Sequence, residues 1–384
     1  MCSNEKKVKI LTTLEAAEEI KKEKNMSKDF LRELKKINPF SEFLDKSVFA
    51  NITDWISTGS YVLNGIISGD MTKGIPAGKI SIISGKSGVG KSYIASCVAA
   101  NAQKKDYIVI WFDTEGASDR NAAEGLGIDS TKLMYLPGLS SIEDFRNQCT
   151  KILELVETKF KDKKILIVLD SLGNLSSAKE LADADKGKTA SDMGQRGKAI
   201  RSVFRVLSPR LIANGVTTII INHTYDNIAV MFGGEVESGG EGSVYNSTVI
   251  LNCKRAKVRD NQTKDITGVI LKPTTTKNRI VAPFKTGMIA LDFTAGLNKY
   301  YGLLDWALEA GLVIKDKTRY KTVKMDKLEW EKNFYTAKIW DPILDDLSAW
   351  VSEKMSYSSI FIDEETKAAV EAANADEEEK EKNE

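Results

Sequence analysis

Histidine is all but missing from this chain: His223 is the one imidazole in 384 residues. Cysteine is scarce as well. Cys2, Cys97, Cys149 and Cys253 are scattered and form no CxxC pair, which argues against a zinc site or a disulfide framework and fits a reducing cytoplasm. No apolar run approaches the roughly 18–20 residues of a membrane span. The first 25 residues carry too much charge for a signal peptide. Net charge is also nearly absent, at +1. With 42% hydrophobic and 28% charged residues, the composition is that of a soluble globular protein, long enough for two domains or one large domain with appendages.

The near-zero charge hides a strong asymmetry. Lys186–Arg210 holds seven basic residues against one acid, and Lys254–Lys285 holds nine against two. The last 14 residues hold seven acids and two lysines. A basic interior with an acidic tail suggests a polyanion partner and a tail that competes with it; a solvated surface with a solubilising tail gives the same pattern.

Apolar runs at 79–85, 107–113, 164–170 and 216–222 alternate with helical spacing at 92–105 and 142–161. Strands that are apolar throughout, separated by helices, predict a mainly parallel α/β sheet covered on both faces, with ligands at the C-terminal strand ends. Segments 247–256, 266–276 and 279–293 are expected to complete the sheet. Residues 12–38 read as polar helix broken near Asn25 and ending before Pro39. The expected divisions are a helical extension and connector over 1–54, with a possible oligomerisation role, a core over 55–296, a small α-rich domain over 297–366, and an acidic disordered tail over 367–384.

The stretch GKSGVGKS, residues 85–92, matches the G-x-x-x-x-G-K-[ST] pattern and sits between a strand and a helix. Gly85, Gly88 and Gly90 free the backbone so that N–H groups of Lys86, Ser87, Val89 and their neighbours converge on phosphate at a helix N-terminus. Lys91 is expected to reach the β- and γ-phosphates, and the Ser92 hydroxyl to ligate Mg²⁺. ILIVLD, residues 165–170, ends in Asp170, expected to hold the same ion through water. WFDTEG, residues 111–116, places Glu115 past a neighbouring strand end, where a carboxylate can orient or deprotonate an attacking water; from position alone a plain cap reads as well.

In this order the motifs resemble the RecA family of DNA-strand-exchange ATPases, most closely the UvsX-type phage recombinases. The resemblance covers roughly residues 55–315 and rests on ISTGS, the P-loop, FDTEGASD, VLDSLGNL, INHTY and YYGLLDWALEAGLV. It implies a RecA-like ATPase with ATP and Mg²⁺ at subunit interfaces of a helical homo-oligomeric filament. It implies binding of single-stranded and duplex DNA, homologous pairing and strand exchange, and possible mediator and single-strand-binding protein partners. No membrane role is expected, and the place of action would be a host cytoplasm. A hexameric helicase or regulatory ATPase, or a non-catalytic mediator, would share the core.

The resemblance also assigns residues. Glu115 becomes the catalytic base, and Asp119 a nucleotide contact. Lys277 and Arg279, in KNR, become paired cations reaching a neighbour's ATP, Arg279 standing where the family usually has lysine. Met193 and Gly194 fall at the end of a first DNA loop, followed by a helix on which Lys198 and Arg205 would bind the DNA backbone. Arg201 and Arg196 join them by spacing and charge, with an ordinary wet helix face as the alternative. A second DNA loop would run over 227–243, with Ile228 as a wedge between bases and Gly233, Gly234, Gly239 and Gly240 giving freedom and exposed N–H groups. That loop is expected to be mobile without DNA. His223 would sense the γ-phosphate and couple ATP state to the loop. One departure stands out: Ala122 occupies the place where the family often stacks an aromatic on adenine.

Overall fold

The computed structural model describes residues 28–39, 41–47, 49–116, 118–187, 193–226, 235–238, 246–259 and 266–357. The expected helix over 12–27, the loop residues 227–234 and 239–245, and the tail after 357 lie outside the described residues. So do Ile228, Gly233, Gly234, Gly239 and Gly240, and the side chain of Met193.

The strands of the central sheet are β1 (Ile80–Gly85), β2 (Ile108–Asp113), β3 (Leu133–Pro137), β4 (Ile165–Asp170), β5 (Thr217–Asp226), β6 (Glu235–Glu237), β7 (Val249–Arg259), β8 (Ile266–Asn278), β9 (Ile289–Asp292) and β10 (Gly296–Leu297). Their order is β10-β9-β8-β7-β1-β5-β4-β2-β3, with β6 paired to β5. From β7 to β3 along this path the strands are parallel, and β8, β9 and β10 add antiparallel neighbours at one edge. The expected RecA-like sheet is present.

Alternation along each strand feeds two cores. Ile80 and Ile82 of β1 and Ile165, Ile167 and Leu169 of β4 face one side; Ile83, Leu166 and Val168 face the other. The first face is covered by α3 (Ile142–Lys159) and α4 (Met193–Ala213). On α3 the buried residues are Ile142, Phe145, Cys149, Leu153 and Val156, a helical stripe that Ser141 starts by accepting a hydrogen bond from Asp144 N. On α4, Ile200, Val203, Phe204 and Leu207 are buried, while Lys198, Arg201 and Arg205 are exposed. The second face is covered by α1 (Tyr61–Ser68) and α2 (Lys91–Gln103).

Residues 303–355 do not pack as a separate core. α5 (Leu303–Glu309) and α6 (Leu344–Met355) share the apolar cluster of α1 and α2. A Cβ on Gly65 of α1 would lie 2.8 Å from the Trp306 ring, so the bare glycine lets the helices close. This region is also less helical than expected. Val313–Asp316, Arg319–Thr322 and Glu329–Trp330 form a three-stranded antiparallel sheet.

Three further segments differ from the sequence reading. β3 forms at the sheet edge, where Met134 and Tyr135 stay exposed and leave little apolar signal. Of residues 279–293, only β9 is a central strand; Pro283 and the positive φ of Phe284 (62°) break the rest. β5 does not stop at His223 but continues to Asp226, because β6 pairs with it through Thr224–Glu237 and Asp226–Glu235. Among the described residues no helix is long and apolar enough to cross a membrane.

Candidate functional site

Four strand ends meet at one edge of the sheet. Gly85 of β1 pairs with His223 of β5, and Asp113 of β2 pairs with Asp170 of β4. The Gly-rich loop leaves β1 here and enters α2. Gly85, Gly88 and Gly90 have φ of 147°, 68° and 94°, and a Cβ on Gly85 would meet the Cys253 carbonyl at 2.5 Å. Only glycine fits that approach. Lys86, Ser87 and Gly88 are exposed and Val89 is buried, so Val89 pins the loop from beneath.

Lys91 is buried at the first turn of α2. Its ammonium donates to the carbonyls of Gly85 and Lys86, each at 2.9 Å, and lies 3.4 Å from Nδ1 of His223. Burial holds its pKa below the ordinary lysine value, against the pull of Glu115 and Asp170.

Asp170 is pushed the other way, up to about 6, chiefly by burial, with Glu115 and Asp113 adding repulsion against a hydrogen bond from Ser92. Its Oδ1 is buried and has no hydrogen-bond partner among the described residues. A buried carboxylate oxygen left without a donor, beside a serine hydroxyl, is a hard-oxygen pair suited to Mg²⁺. Among the described residues no group of three His, Cys, Asp or Glu side chains is placed to cage a metal. Mg²⁺ held by two protein oxygens would draw its other ligands from phosphate and water.

Glu115 stands just past β2. Asp113, buried at the strand end, builds the turn that presents it: Oδ1 accepts from the backbone N–H of Glu115 (2.9 Å) and Gly116 (2.8 Å), and Oδ2 accepts from Ser118 N (3.1 Å) and Tyr135 Oη (2.9 Å). Burial raises the Asp113 pKa, but these donors outweigh it and leave the carboxyl below the usual range. Asp113 and Tyr135 are not among the residues that the motifs single out. The aspartate directly before Thr114-Glu115 was visible; the tyrosine comes from the unforeseen β3. Glu115 Oε1 accepts from Ser171 Oγ and lies against His223 Nε2, both at 3.1 Å.

His223 thus bridges Glu115 and Lys91. A Cβ on Gly173 would stand 2.5 Å from its ring, so the glycine forms the platform under the imidazole. Asn222 beside it is buried and donates from Nδ2 to Ser238 O at 3.1 Å.

One cavity is lined both by Ser92, Glu115 and Asp170 and by Tyr93, Trp111, Ala122, Leu126 and Leu133. Asp119 also lines it and caps the helix Arg120–Gly125, accepting from Ala122 N at 2.9 Å. The Trp111 indole N–H is buried there without a partner among the described residues.

The remaining expected residues are placed elsewhere. Gly194 is exposed at the start of α4, in line with Lys198, Arg201 and Arg205. Arg196 on the same helix turns inward: it donates to the carbonyls of Leu172, Gly173 and Leu175 and to Ser238 Oγ. Lys277 and Arg279 lie at the opposite end of the sheet from the Gly-rich loop. Asn278 pairs with Val249, which pairs with Ser81 at the start of β1. The two cations therefore do not join their own chain's site.

A Gly-rich loop between a central parallel strand and a helix, with carboxylates at the adjoining strand ends, defines a P-loop protein. Its family is narrower. Residues 43–298 match the RecA N-terminal domain model, and the chain belongs to that family. It is 30% identical over 276 residues to the recombination and repair protein of Enterobacteria phage T4, covering 71% of this chain and 68% of that one. It is 29% identical over 262 residues to protein RecA of Malacoplasma penetrans, covering 68% and 75%. Against protein RecA of Mesomycoplasma hyopneumoniae the identity is 29% over 304 residues, covering 76% and 83%.

Proposed function

We propose that this chain is an ATP-dependent homologous recombination protein. It forms filaments on single-stranded DNA, pairs that strand with homologous duplex and exchanges strands, hydrolysing ATP at subunit interfaces. Action in a host cytoplasm beside single-strand-binding and mediator proteins follows from the same reading. The observation that carries it is the contact of Lys91, His223 and Glu115 at the foot of β5, the strand that leads into the expected DNA loop.

In this reading the Gly-rich loop and α2 hold the triphosphate. Ser92 and Asp170 would hold Mg²⁺, which neutralises charge on the β- and γ-phosphates when bound. Glu115 accepts the proton of the water whose oxygen attacks the γ-phosphorus, and ADP leaves with the electrons of the broken P–O bond. Lys91 leaves the loop carbonyls for phosphate, and His223 donates one ring N–H to the γ-phosphate. The base lies in the cavity beside Ala122, with Tyr93 of α2 as its aromatic neighbour. Lys198, Arg201 and Arg205 meet the DNA backbone.

The direct test is ATPase rate with and without single-stranded DNA, alongside electron microscopy in a non-hydrolysable ATP analogue. Strong stimulation and open helical filaments are expected. No stimulation together with closed rings or no assembly would overturn the reading.

A further inference from the structure

Arg196 carries charge at the start of a helix whose other cations face solvent, yet its guanidinium points into the protein. Nε donates to Leu175 O at 2.9 Å, Nη2 to Gly173 O at 2.7 Å and Leu172 O at 3.1 Å, and Nη1 to Ser238 Oγ at 2.9 Å. A guanidinium has about five N–H donors in a fixed planar fork, so these four contacts use most of them and set the group's orientation.

The acceptors belong to two separate stretches of chain. Leu172–Leu175 follows Asp170 with only Ser171 between them. Ser238 follows β6 and lies within the stretch 227–243 expected to form the second DNA loop. Ser238 is held to β5 as well: its N–H donates to His223 O at 2.7 Å, and its carbonyl accepts from Asn222 Nδ2 at 3.1 Å. Gly173, whose carbonyl Arg196 grips, is the platform beneath the His223 ring, with no room for even a methyl group between them.

We propose that Arg196 is a positioning residue that couples the nucleotide site to both DNA-facing segments, and is not itself a contact to DNA. A shift of the His223 ring toward phosphate moves its platform at Gly173. Arg196 passes that movement to Ser238 and to the first turns of α4. Two discrete arrangements of one hydrogen-bonded clasp are a physical means for such coupling. The inference rests on the recombinase reading and adds to it the residue through which ATP state reaches the loops.

The test measures affinity for a labelled single-stranded oligonucleotide, in ADP and in a non-hydrolysable ATP analogue, across a salt series. The variants are Arg196→Gln, Arg196→Lys and Ser238→Ala. In both Arg196 variants the affinity in the ATP analogue should fall about tenfold, toward the ADP value, with the salt slope kept. Ser238→Ala should do part of the same, and adding it to Arg196→Gln should cost little more, since both break one clasp. Binding of the ATP analogue confirms that each variant is folded. If Arg196→Gln fails to fold, Ser238→Ala, which removes only a hydroxyl, decides alone. A salt slope reduced by about one, with loss in both nucleotide states, would make Arg196 a phosphate contact and overturn the proposal. Variants that respond to ATP as strongly as wild type also overturn it. Wild-type DNA affinity that ignores ATP altogether would instead sink the recombinase reading itself, and the clasp's coupling role with it.

Discussion

His223 Nε2 lies 3.1 Å from Glu115 Oε1, while its Nδ1 lies 3.4 Å from the Lys91 ammonium. A neutral imidazole fits both partners at once. Nε2–H donates to the carboxylate, and the Nδ1 lone pair accepts from lysine. In the proposed reading the base and the phosphate-binding cation thus share one ring, and bound phosphate would compete with the carboxylate for the Nε2–H and with Nδ1 for the ammonium.

Replacing the proposed base isolates the chemical step. Glu115→Gln keeps the shape and a hydrogen bond to the ring but cannot take a proton. DNA-stimulated ATP hydrolysis should fall by roughly 10²–10⁴-fold, with ATP-analogue affinity changed little. Steady-state ATPase and equilibrium nucleotide binding on the same preparation check this. An undiminished rate would remove Glu115 from the chemistry.

Replacing the proposed sensor should separate binding from response. His223→Ala should bind the ATP analogue nearly as well as wild type, yet hold DNA with one affinity in ATP and ADP states. His223→Gln, which retains an N–H donor, should recover part of the difference. Fluorescence anisotropy with both nucleotides reads the ratio. A normal ratio in His223→Ala would leave the ring a purely structural role.

Asp170 predicts a trade between stability and activity. Its pKa is raised from an unfolded 3.8 to about 6 by burial, so between those values the folded chain binds more protons than the unfolded one. Stability therefore falls as pH rises through that window, and above about 6 the charge costs on the order of 2–3 kcal/mol without a cation. Asp170→Asn should unfold at a higher temperature than wild type at pH 7.5 in EDTA. That gap should close as pH drops below about 6 and wild-type Asp170 becomes neutral. Mg²⁺-dependent hydrolysis should be lost in the variant at every pH. A thermal midpoint equal to wild type at pH 7.5 would mean that the carboxylate is not held in a costly state.

The exposed cations of α4 are read through salt. Lys198→Ala and Arg205→Ala should each weaken single-stranded DNA binding and reduce the slope of log affinity against log salt by about one. A slope equal to wild type would mean the side chain is only solvated.

Sequence alone carried the site's motifs because they are local. The Gly-rich loop, Glu115 and Asp170 each follow a short apolar strand, and pattern plus position suffices for them. What was not legible depends on contacts distant in sequence. Arg196 read as one more basic residue on a polar face, and only the fold brings Leu172, Gly173 and Ser238 to it. The apolar run at 216–222 stops short of the end of β5 because β6, the strand that prolongs it, has no apolar run of its own. The strand β3 and the small sheet at 313–330 are short and half exposed, so burial left little imprint on their residues.

The cations at Lys277 and Arg279 allow a test of subunit exchange. They sit beyond the start of β1, while the Gly-rich loop leaves its end, and the intervening strand alone spans about 13–16 Å. Within one chain they cannot reach the phosphates, so any role in hydrolysis must be played on a neighbour. A chain with Lys277→Ala and Arg279→Ala keeps an intact loop, and a Lys91→Ala chain keeps intact cations. Each alone should hydrolyse ATP poorly on DNA. Mixed in equal amounts, they should regain measurable activity, because one kind of interface joins an intact loop to intact cations. Burial and the charge of Arg279 lower the Lys277 pKa to about 8, so wild-type assembly with ATP should weaken as pH rises above about 8 and the ammonium is lost. Lys277→Arg, which stays charged there, should flatten that fall. If the mixture is no more active than its parts, the two cations do not act across the interface.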